Sequence, residues 1–183
     1  MNKESTAHFF TALAAQMPQP KTELCFLNPY TLLVAVTLSA QATDVSVNKA
    51  TASLFKIVKS PKAMLDFGLE KLRAQIKTIG LYNTKAKNII AMAEILVRDY
   101  NGEVPRDRAA LEKLPGVGRK TANVVMNEAF GIPTIAVDTH VFRVANRTGL
   151  APGKDVRTVE DKLMKVVPKE FLKGAHHWLI LLG

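Results

Sequence analysis

Apolar residues recur along the chain at the three- and four-residue intervals that place side chains on one face of an α-helix, whereas the strict alternation typical of β-strands is scarce. The helical pattern continues from one end of the sequence to the other. It therefore predicts an all-α protein. The predicted helices are 3–16, 29–41, 44–58, 61–67, 69–78, 84–100, 107–113, 119–130, 139–148, 156–167 and 170–182.

Residues that favour helix ends lie where this pattern begins and breaks. Pro29 and Pro61 suit first turns, where the missing N–H of proline is not needed. Asp107 and Asp155 are predicted N-caps, and Pro168 is predicted to end the helix before it. The glycines expected just after helices are Gly80, Gly102 and Gly131.

One predicted helix, 29–41, is almost wholly apolar, which is typical of a helix at the centre of a core. The segment 131–137 is the best candidate for an extended linker, because Pro133 disfavours helix at the residue before it. A second helical layer could begin at Asp138. Lys120 and Asp138 would then lie on opposite walls of a cleft between two helical layers.

Composition narrows the class of protein. Of the 183 residues, 48% are apolar, which supports a folded core, and the formal net charge of +9 suits a polyanionic partner. An ordinary basic protein would carry the same charge. Cys25 is the only cysteine, which excludes an intramolecular disulfide and suits a reducing compartment. Without a signal peptide or an apolar run of roughly 18 residues, the sequence predicts a soluble cytoplasmic protein with no membrane partner.

The C-terminal stretch, 176–183, is as apolar as a buried helix and contains the adjacent His176 and His177. With one cysteine and no carboxylates at ligand spacing, these histidines predict core or surface positions rather than a metal site. Because chain termini are usually polar, we expect this chain to be truncated relative to its parent protein.

Two glycines, Gly116 and Gly118, precede the helix predicted at 119–130. A glycine hairpin there can reverse with positive φ and bring a phosphate close to the N–H groups of the helix N-terminus. The basic first turn favours phosphate binding over the alternative, which is a helix–helix connection with a glycine cap. The candidate DNA contacts in this hairpin are Gly116, Val117, Gly118, Arg119 and Thr121.

Lys120 and Asp138 are the candidates for catalysis. Lys120 is a nucleophile only as a neutral amine, which requires a partly dry pocket. As an ammonium it would pair with phosphate, and its position in the sequence supports both interpretations equally. The local sequence around Asp138 favours an N-cap. A capping carboxylate is also held ionised and fixed, so it could stabilise positive charge on a sugar during glycosidic cleavage.

Five further side chains could contact DNA, and each has an alternative without function. His140, Arg143 and Arg147 share one helix stripe, which suits a DNA backbone or a solvated face. Gln41 could fill the gap left by an extruded base, and Leu81 could wedge between base steps. Local sequence alone favours a helix-terminal glutamine and a core leucine.

Taken together, these residues resemble the endonuclease III family, which are bacterial DNA glycosylases with abasic-site lyase activity in the helix-hairpin-helix superfamily. The hairpin alone is shared with many DNA-binding proteins, but with a lysine at 120 and Val-Asp-Thr-His at 137–140 it is highly specific. The resemblance covers nearly the whole chain. It is strongest at 32–44, 77–83, 114–125 and 135–147.

The resemblance implies an enzyme of base-excision DNA repair. Lys120 would attack C1′ of the damaged nucleotide, expel the base and form a Schiff base, after which β-elimination cuts the strand. Asp138 would accept the proton and stabilise the developing charge. Gln41 and Leu81 match the gap-filling and wedging positions, which reverses their interpretation from local sequence. The expected partner of a monomeric enzyme is duplex DNA that contains abasic sites or oxidised or ring-saturated pyrimidines such as thymine glycol.

The same resemblance implies a helix-hairpin-helix glycosylase fold with an active-site cleft between two helical domains. A six-helix domain would span 22–132 and contain the helix-hairpin-helix at about 107–130, and residues 1–21 and 133–183 would form the second domain. The family carries a [4Fe–4S] cluster on four cysteines of a C-terminal tail. No cofactor ligands are encoded in these 183 residues, so the cluster is expected only if the parent protein has that tail.

Two other functions stay open from the residues. The first is a single-function glycosylase that uses Asp138 and water, although relatives of that kind lack a lysine at position 120. The second is a non-catalytic helix-hairpin-helix fragment that only binds DNA.

Overall fold

The computed structural model of the protein describes residues 1–18 and 20–183, and every regular element in this part of the chain is a helix. The all-α prediction is confirmed. None of the helices in the described residues is long and apolar enough to span a membrane. In chain order they are α1 (Lys3–Gln16), α2 (Pro29–Ser39), α3 (Asp44–Ile57), α4 (Pro61–Phe67), α5 (Leu69–Gln75), α6 (Tyr82–Asp99), α7 (Arg108–Glu112), α8 (Arg119–Phe130), α9 (Thr139–Arg147), α10 (Val156–Val166) and α11 (Leu172–Leu181), with a 3₁₀ turn at Lys169–Phe171 before α11.

Most helix boundaries follow local signals. Helices α1, α4 and α8 begin and end at the predicted residues. The predictions were wrong on both sides of one turn, because α5 already ends at Gln75 and α6 already begins at Tyr82. Leu81 explains the early start of α6, since its left-handed backbone, with φ at 58°, makes it the N-cap of that helix. Gly80 accordingly lies inside a turn rather than directly after a helix.

Capping residues account for where several helices begin. Asp107 and Asp155 each accept a hydrogen bond of 2.8 Å from the backbone N–H three residues later, so both predicted N-caps are confirmed. Pro29 and Pro61 stand in first turns, as predicted. A side-chain cap contributes about 1 kcal/mol to helix stability. These short-range interactions therefore make the helix starts readable from the sequence.

The chain divides into two compact units, Glu23–Phe130 and Met1–Thr22 together with Gly131–Gly183. In the first unit α2 is the central element, because every residue from Tyr30 to Leu38 is buried. It packs against α3, α6 and α8. The prediction of a core helix is confirmed, but the helix ends at Ser39 because the chain turns into a left-handed conformation at Gln41.

The second unit has an aromatic core. The rings of Phe10, Phe171 and Trp178 have centroids 5.9 to 6.2 Å apart. The indole N–H of Trp178 donates to the carbonyl of Met17 over 2.9 Å. These contacts join α1 to the 3₁₀ turn and α11, and they explain why one unit is built from two separate stretches of the chain.

The segment between α8 and α9 contains no helix, as Pro133 predicted. Its residues Thr134 to Val137 are buried. The imidazole Nδ1 of His176 lies 2.8 Å from the carbonyl oxygen of Ala136, within hydrogen-bond distance. His176 is itself buried, so of the two predicted settings, core or surface, it occupies the core.

Gly174, in α11, lies where a side chain has no room. A Cβ built there would be 2.8 Å from Cη2 of Trp178 and 2.9 Å from Cγ of Pro20. Overpacking costs about 1–3 kcal/mol, and the better helix propensity of alanine offsets up to about 1 kcal/mol. We therefore expect Gly174→Ala to lower the free energy of unfolding by about 1–2 kcal/mol, measured by urea denaturation with circular dichroism.

The control for this substitution is Lys173→Ala, at the exposed neighbouring position of the same helix. It should change the free energy of unfolding by less than about 0.5 kcal/mol. Equal denaturation midpoints for Gly174→Ala and the wild type would contradict the close packing around Trp178.

Candidate active site

The hairpin predicted at about 107–130 consists of α7, a tight turn and α8. The backbone N–H groups of Leu114 and Val117 donate to the carbonyls of Leu111 and Leu114. All three side chains are buried and anchor the turn. The side chain of Val117 is buried and its N–H donates to Leu114, so the predicted DNA contact of Val117 stays a prediction.

The two hairpin glycines differ in backbone conformation and in the space around them. Gly116 has φ at 78°, a conformation that other residues rarely adopt, and a Cβ there would be 3.1 Å from Nδ2 of Asn88 and 3.3 Å from Cγ2 of Thr37. Gly118 has no left-handed φ, is exposed, and a Cβ there would meet open space. The fold therefore requires glycine at 116, whereas the bare backbone at Gly118 leaves room for a group from outside the chain.

The first turn of α8 combines a helix N-terminus with basic side chains. Lys120 is exposed. Nη1 of Arg119 lies 3.8 Å from Oε1 of Glu112, so part of its charge is compensated across the hairpin. Thr121, in the same turn, is buried. The partial positive charge of the helix dipole makes this end favourable for an anion.

Asp138 caps α9. Its Oδ1 accepts a hydrogen bond of 2.8 Å from the backbone N–H of Val141, and the residue is partly buried. The predicted N-cap is confirmed. The segment directly before Asp138 is buried, and its Ala136 carbonyl lies next to the His176 ring. The backbone that leads to this carboxylate is therefore fixed. The sequence analysis did not predict the contact between His176 and the backbone before Asp138, because the two partners lie 40 residues apart.

His140 and Arg143 lie in the first two turns of α9, which Asp138 caps, and both are exposed. Nη2 of Arg143 is 3.4 Å from Nδ1 of His140, and it also donates to the carbonyl of Gly183. Arg147 is exposed on the same helix. The predicted stripe is thus a polar, solvent-facing surface.

Gln41 and Leu81 share an unusual backbone. Their φ angles are 56° and 58°, and apart from Asn101 they are the only non-glycine residues with positive φ among residues 1–18 and 20–183. Such a conformation costs roughly 1–2 kcal/mol for a residue other than glycine. Both residues are exposed, and Leu81 retains 65% of its accessible surface. The local-sequence interpretation of Leu81 as a core leucine is therefore wrong.

A buried lysine lies next to both of these turns. Lys85 is 7% exposed, and its Nζ donates to the carbonyls of Leu38 at 2.9 Å and Ala40 at 2.6 Å. Burial lowers the pKa of this ammonium. Sequence reasoning missed Lys85, although a signal was present: it lies four residues before Ile89, on the otherwise apolar stripe of α6.

The described residues contain no group of three or more His, Cys, Asp or Glu side chains that could hold a metal ion. A [4Fe–4S] cluster is commonly bound by four cysteine thiolates, and the 183 residues include a single exposed cysteine, Cys25. The side chains present therefore do not fit such a cluster.

Each unit brings together its own set of candidates. In Glu23–Phe130, the hairpin, Gln41 and Leu81 are connected through α2 and α6. In the other unit, Asp138, His140 and Arg143 lie along the first turns of α9.

Comparison with known proteins identifies the family. The model of the HhH-GPD superfamily of base excision DNA repair proteins matches residues 34–169. Endonuclease III of Escherichia coli (strain K12) is 63% identical over 183 residues, which are 100% of this chain and 87% of that protein. Endonuclease III of Haemophilus influenzae (strain ATCC 51907 / DSM 11121 / KW20 / Rd) is 60% identical with the same coverage.

Solved structures give the same result. The structure of a trapped endonuclease III–DNA covalent intermediate, an estranged-adenine complex, has a TM-score of 0.92 and 48% sequence identity, and the match covers 100% of this chain and 86% of that chain. A non-covalent endonuclease III–DNA complex matches equally well. By family model, sequence identity and fold, the chain belongs to the endonuclease III family of the HhH-GPD superfamily.

Proposed function

We propose that this chain removes oxidised or ring-saturated pyrimidines, such as thymine glycol, from duplex DNA and cuts the strand at the resulting abasic site through Lys120. As a member of the endonuclease III family, it is a base excision repair enzyme, a DNA glycosylase with abasic-site lyase activity. The proposal for Lys120 rests above all on its place, as an exposed amine in the first turn of α8 beside the open backbone of Gly118. A related endonuclease III forms a trapped covalent intermediate with DNA, which supports a protein nucleophile.

In the proposed reaction, the neutral amine of Lys120 forms a bond to C1′ of the sugar while the bond from C1′ to the base breaks. The base leaves with the electron pair of that bond, and opening of the sugar ring gives an iminium ion. Loss of a proton from C2′ then expels the 3′ phosphate. Lys120 is exposed in the protein alone, so we assign to the bound nucleotide the exclusion of water that a neutral amine requires.

Asp138 is proposed to accept the proton of the attacking amine and to stabilise positive charge on the sugar. The hydrogen bond from Val141 holds one carboxylate oxygen in place, and a charged group that needs no reorganisation stabilises a transition state most effectively. Capping and catalysis are compatible here, because the second oxygen of a carboxylate retains its own acceptor sites.

Gln41 and Leu81 are proposed to enter the duplex, with Gln41 in the gap left by the extruded base and Leu81 as a wedge. Their exposure and left-handed backbone support this, since strained residues persist where the surroundings hold them for a function. Extruding a base costs a few kcal/mol, and less when the base is damaged. The lower cost of extruding a damaged base therefore helps the enzyme to select damaged nucleotides.

The proposal also covers the partner, the cellular location and the cofactor of the reaction. The net charge of +9 supports binding of the DNA backbone. A monomer in the cytoplasm of a bacterial cell is the proposed form and location. A [4Fe–4S] cluster would require cysteines from outside these 183 residues, and the proposed chemistry of Lys120 and Asp138 uses no group from such a cluster.

Lys120→Ala should abolish covalent trapping by borohydride on abasic-site DNA, because without the amine no imine forms for the reductant to fix. Lys120→Arg is the matched control: it keeps the positive charge and DNA binding but should also fail to trap. Cross-linked species are measured on denaturing gels. If Lys120→Ala cross-links as the wild type does, another residue is the nucleophile.

The wild type in the same assay separates the other functions. Base excision without trapping would indicate a single-function glycosylase that uses water. DNA binding with neither reaction would indicate a binding module.

Asp138→Asn should fold normally, because asparagine caps helices as well as aspartate does. Removal of the proton acceptor should nevertheless slow single-turnover base excision by about 10²- to 10⁴-fold. Asp155→Asn is the matched control, since Asp155 caps α10 in the same way and should leave excision unchanged. Equal excision rates for Asp138→Asn and the wild type would leave Asp138 with the capping function alone.

Gly118→Ala should keep the stability of the wild type, since its Cβ meets open space. We expect it to weaken binding of abasic-site duplex roughly tenfold, about the value of one hydrogen bond to a charged group. Gly116→Ala should instead lower the free energy of unfolding by about 1–2 kcal/mol, because alanine disfavours its positive φ. Fluorescence anisotropy and urea denaturation measure the two effects, and unchanged DNA affinity for Gly118→Ala would rule out a close phosphate contact there.

A further inference from the structure

The ammonium of Lys85 lies at the C-terminal end of α2, where the last carbonyls of a helix have no partner within the helix. Its Nζ is 2.9 Å from the Leu38 carbonyl and 2.6 Å from the Ala40 carbonyl. Gln41 follows directly. Lys85 therefore holds the backbone immediately before the first of the two left-handed turns.

The backbone of the same lysine holds the second turn. The N–H of Lys85 donates to the carbonyl of Leu81 over 3.0 Å, which is the hydrogen bond that opens α6. One residue is thus hydrogen-bonded to both segments that carry the exposed side chains Gln41 and Leu81.

Lys85 satisfies carbonyls at the end of α2, which is favourable for a cation, but the burial of its charge is costly. The buried stripe of α6 is otherwise apolar, with Ala86, Ile89 and Met92 among its members. Burying an ammonium costs free energy that an apolar residue of the same length would avoid. The Lys85 ammonium donates to the carbonyls of Leu38 and Ala40, just before Gln41. An apolar residue could not make these hydrogen bonds between α6 and the end of α2.

The same face of α6 reaches the hairpin one turn further on. Asn88, three residues after Lys85, has its Nδ2 only 3.1 Å from the position of a Cβ on Gly116. Thr37, next to Leu38 in α2, is the other residue close to that Cβ position, with its Cγ2 at 3.3 Å. The Gln41 turn, the Leu81 turn and the hairpin therefore share one support, made by the end of α2 and the beginning of α6.

We propose that Lys85 is a positioning residue for base extrusion, which fixes the Gln41 and Leu81 turns relative to each other so that both side chains enter the duplex together. This inference rests on the proposed insertion of Gln41 and Leu81. Lys85 acts through its hydrogen bonds to Leu38, Ala40 and Leu81 and does not itself touch the reacting atoms.

The test compares two reactions that differ in their need for extrusion. Lys85→Met keeps the length of the side chain and removes the ammonium. Single-turnover excision of thymine glycol from a duplex should fall about 10- to 100-fold, as expected when reacting groups are misplaced by a distant change. Borohydride trapping on single-stranded abasic DNA, which needs no extrusion, should stay unchanged. Lys87→Met, at an exposed position of the same helix, is the matched control for loss of charge and should excise normally.

A double-mutant cycle with Leu81→Ala gives a readout that a merely structural role would not change. If Lys85 acts through the Leu81 turn, the loss in Leu81→Ala/Lys85→Met should be smaller than the product of the two single losses. Losses that multiply fully would overturn the proposal. Should Lys85→Met be unfolded at the assay temperature, Lys85→Gln is used in the same cycle with the same criterion.

The remaining outcomes separate this inference from the proposed function. Normal duplex excision by Lys85→Met, with slow excision by Leu81→Ala, overturns the inference alone. Equal losses of duplex excision and single-strand trapping would place Lys85 in general support of the active site and overturn its positioning role. Trapping by Lys120→Ala would contradict the proposed nucleophile, whatever Lys85→Met does.

Discussion

Burial of α2 on every side is the constraint on which the arrangement of the Glu23–Phe130 unit depends. Helices α3, α6 and α8 pack around it, and protein interiors tolerate few voids. The elements that carry candidate site residues are direct neighbours of this helix: its C-terminus leads to Gln41, α6 begins next to Leu81, and α8 begins with the turn of Lys120. Displacing α6 or α8 would open a cavity at α2, so the core fixes the positions of the segments that carry Gln41, Leu81 and Lys120 relative to one another.

Two of the three non-glycine residues with positive φ in the described part of this unit lie next to Lys85, and the third is Asn101. Gln41 and Leu81 each occupy a left-handed conformation that the neighbouring helices maintain. The hydrogen bonds of Lys85 reach both turns, and they combine a charged donor with the carbonyls that end α2. Local strain and a buried charge both cost stability. Strained residues beside a buried charge are more typical of a functional site than of a fold optimised for stability.

The unit formed by Met1–Thr22 and Gly131–Gly183 holds the Asp138 carboxylate at the start of α9. Asp138 is fixed by the N–H of Val141 and by the buried segment before it. That segment is held in turn by His176, whose helix α11 is packed into the aromatic core around Trp178. A long-range core thus supports a short-range capping interaction, and the carboxylate is oriented by both.

The sequence by itself determined the all-α class, most helix starts, the caps at Asp107, Asp138 and Asp155, and the glycine hairpin. Each of these depends on hydrogen bonds or periodicity within a few residues, so the information is local. The domain boundaries and the catalytic roles of Lys120 and Asp138 stay predictions. Only the tertiary structure decided that Thr121 is buried, that Leu81 is exposed, and that Lys85 meets carbonyls 45 and 47 residues away. No local pattern specifies such contacts, because they arise only when separate helices pack around the same core.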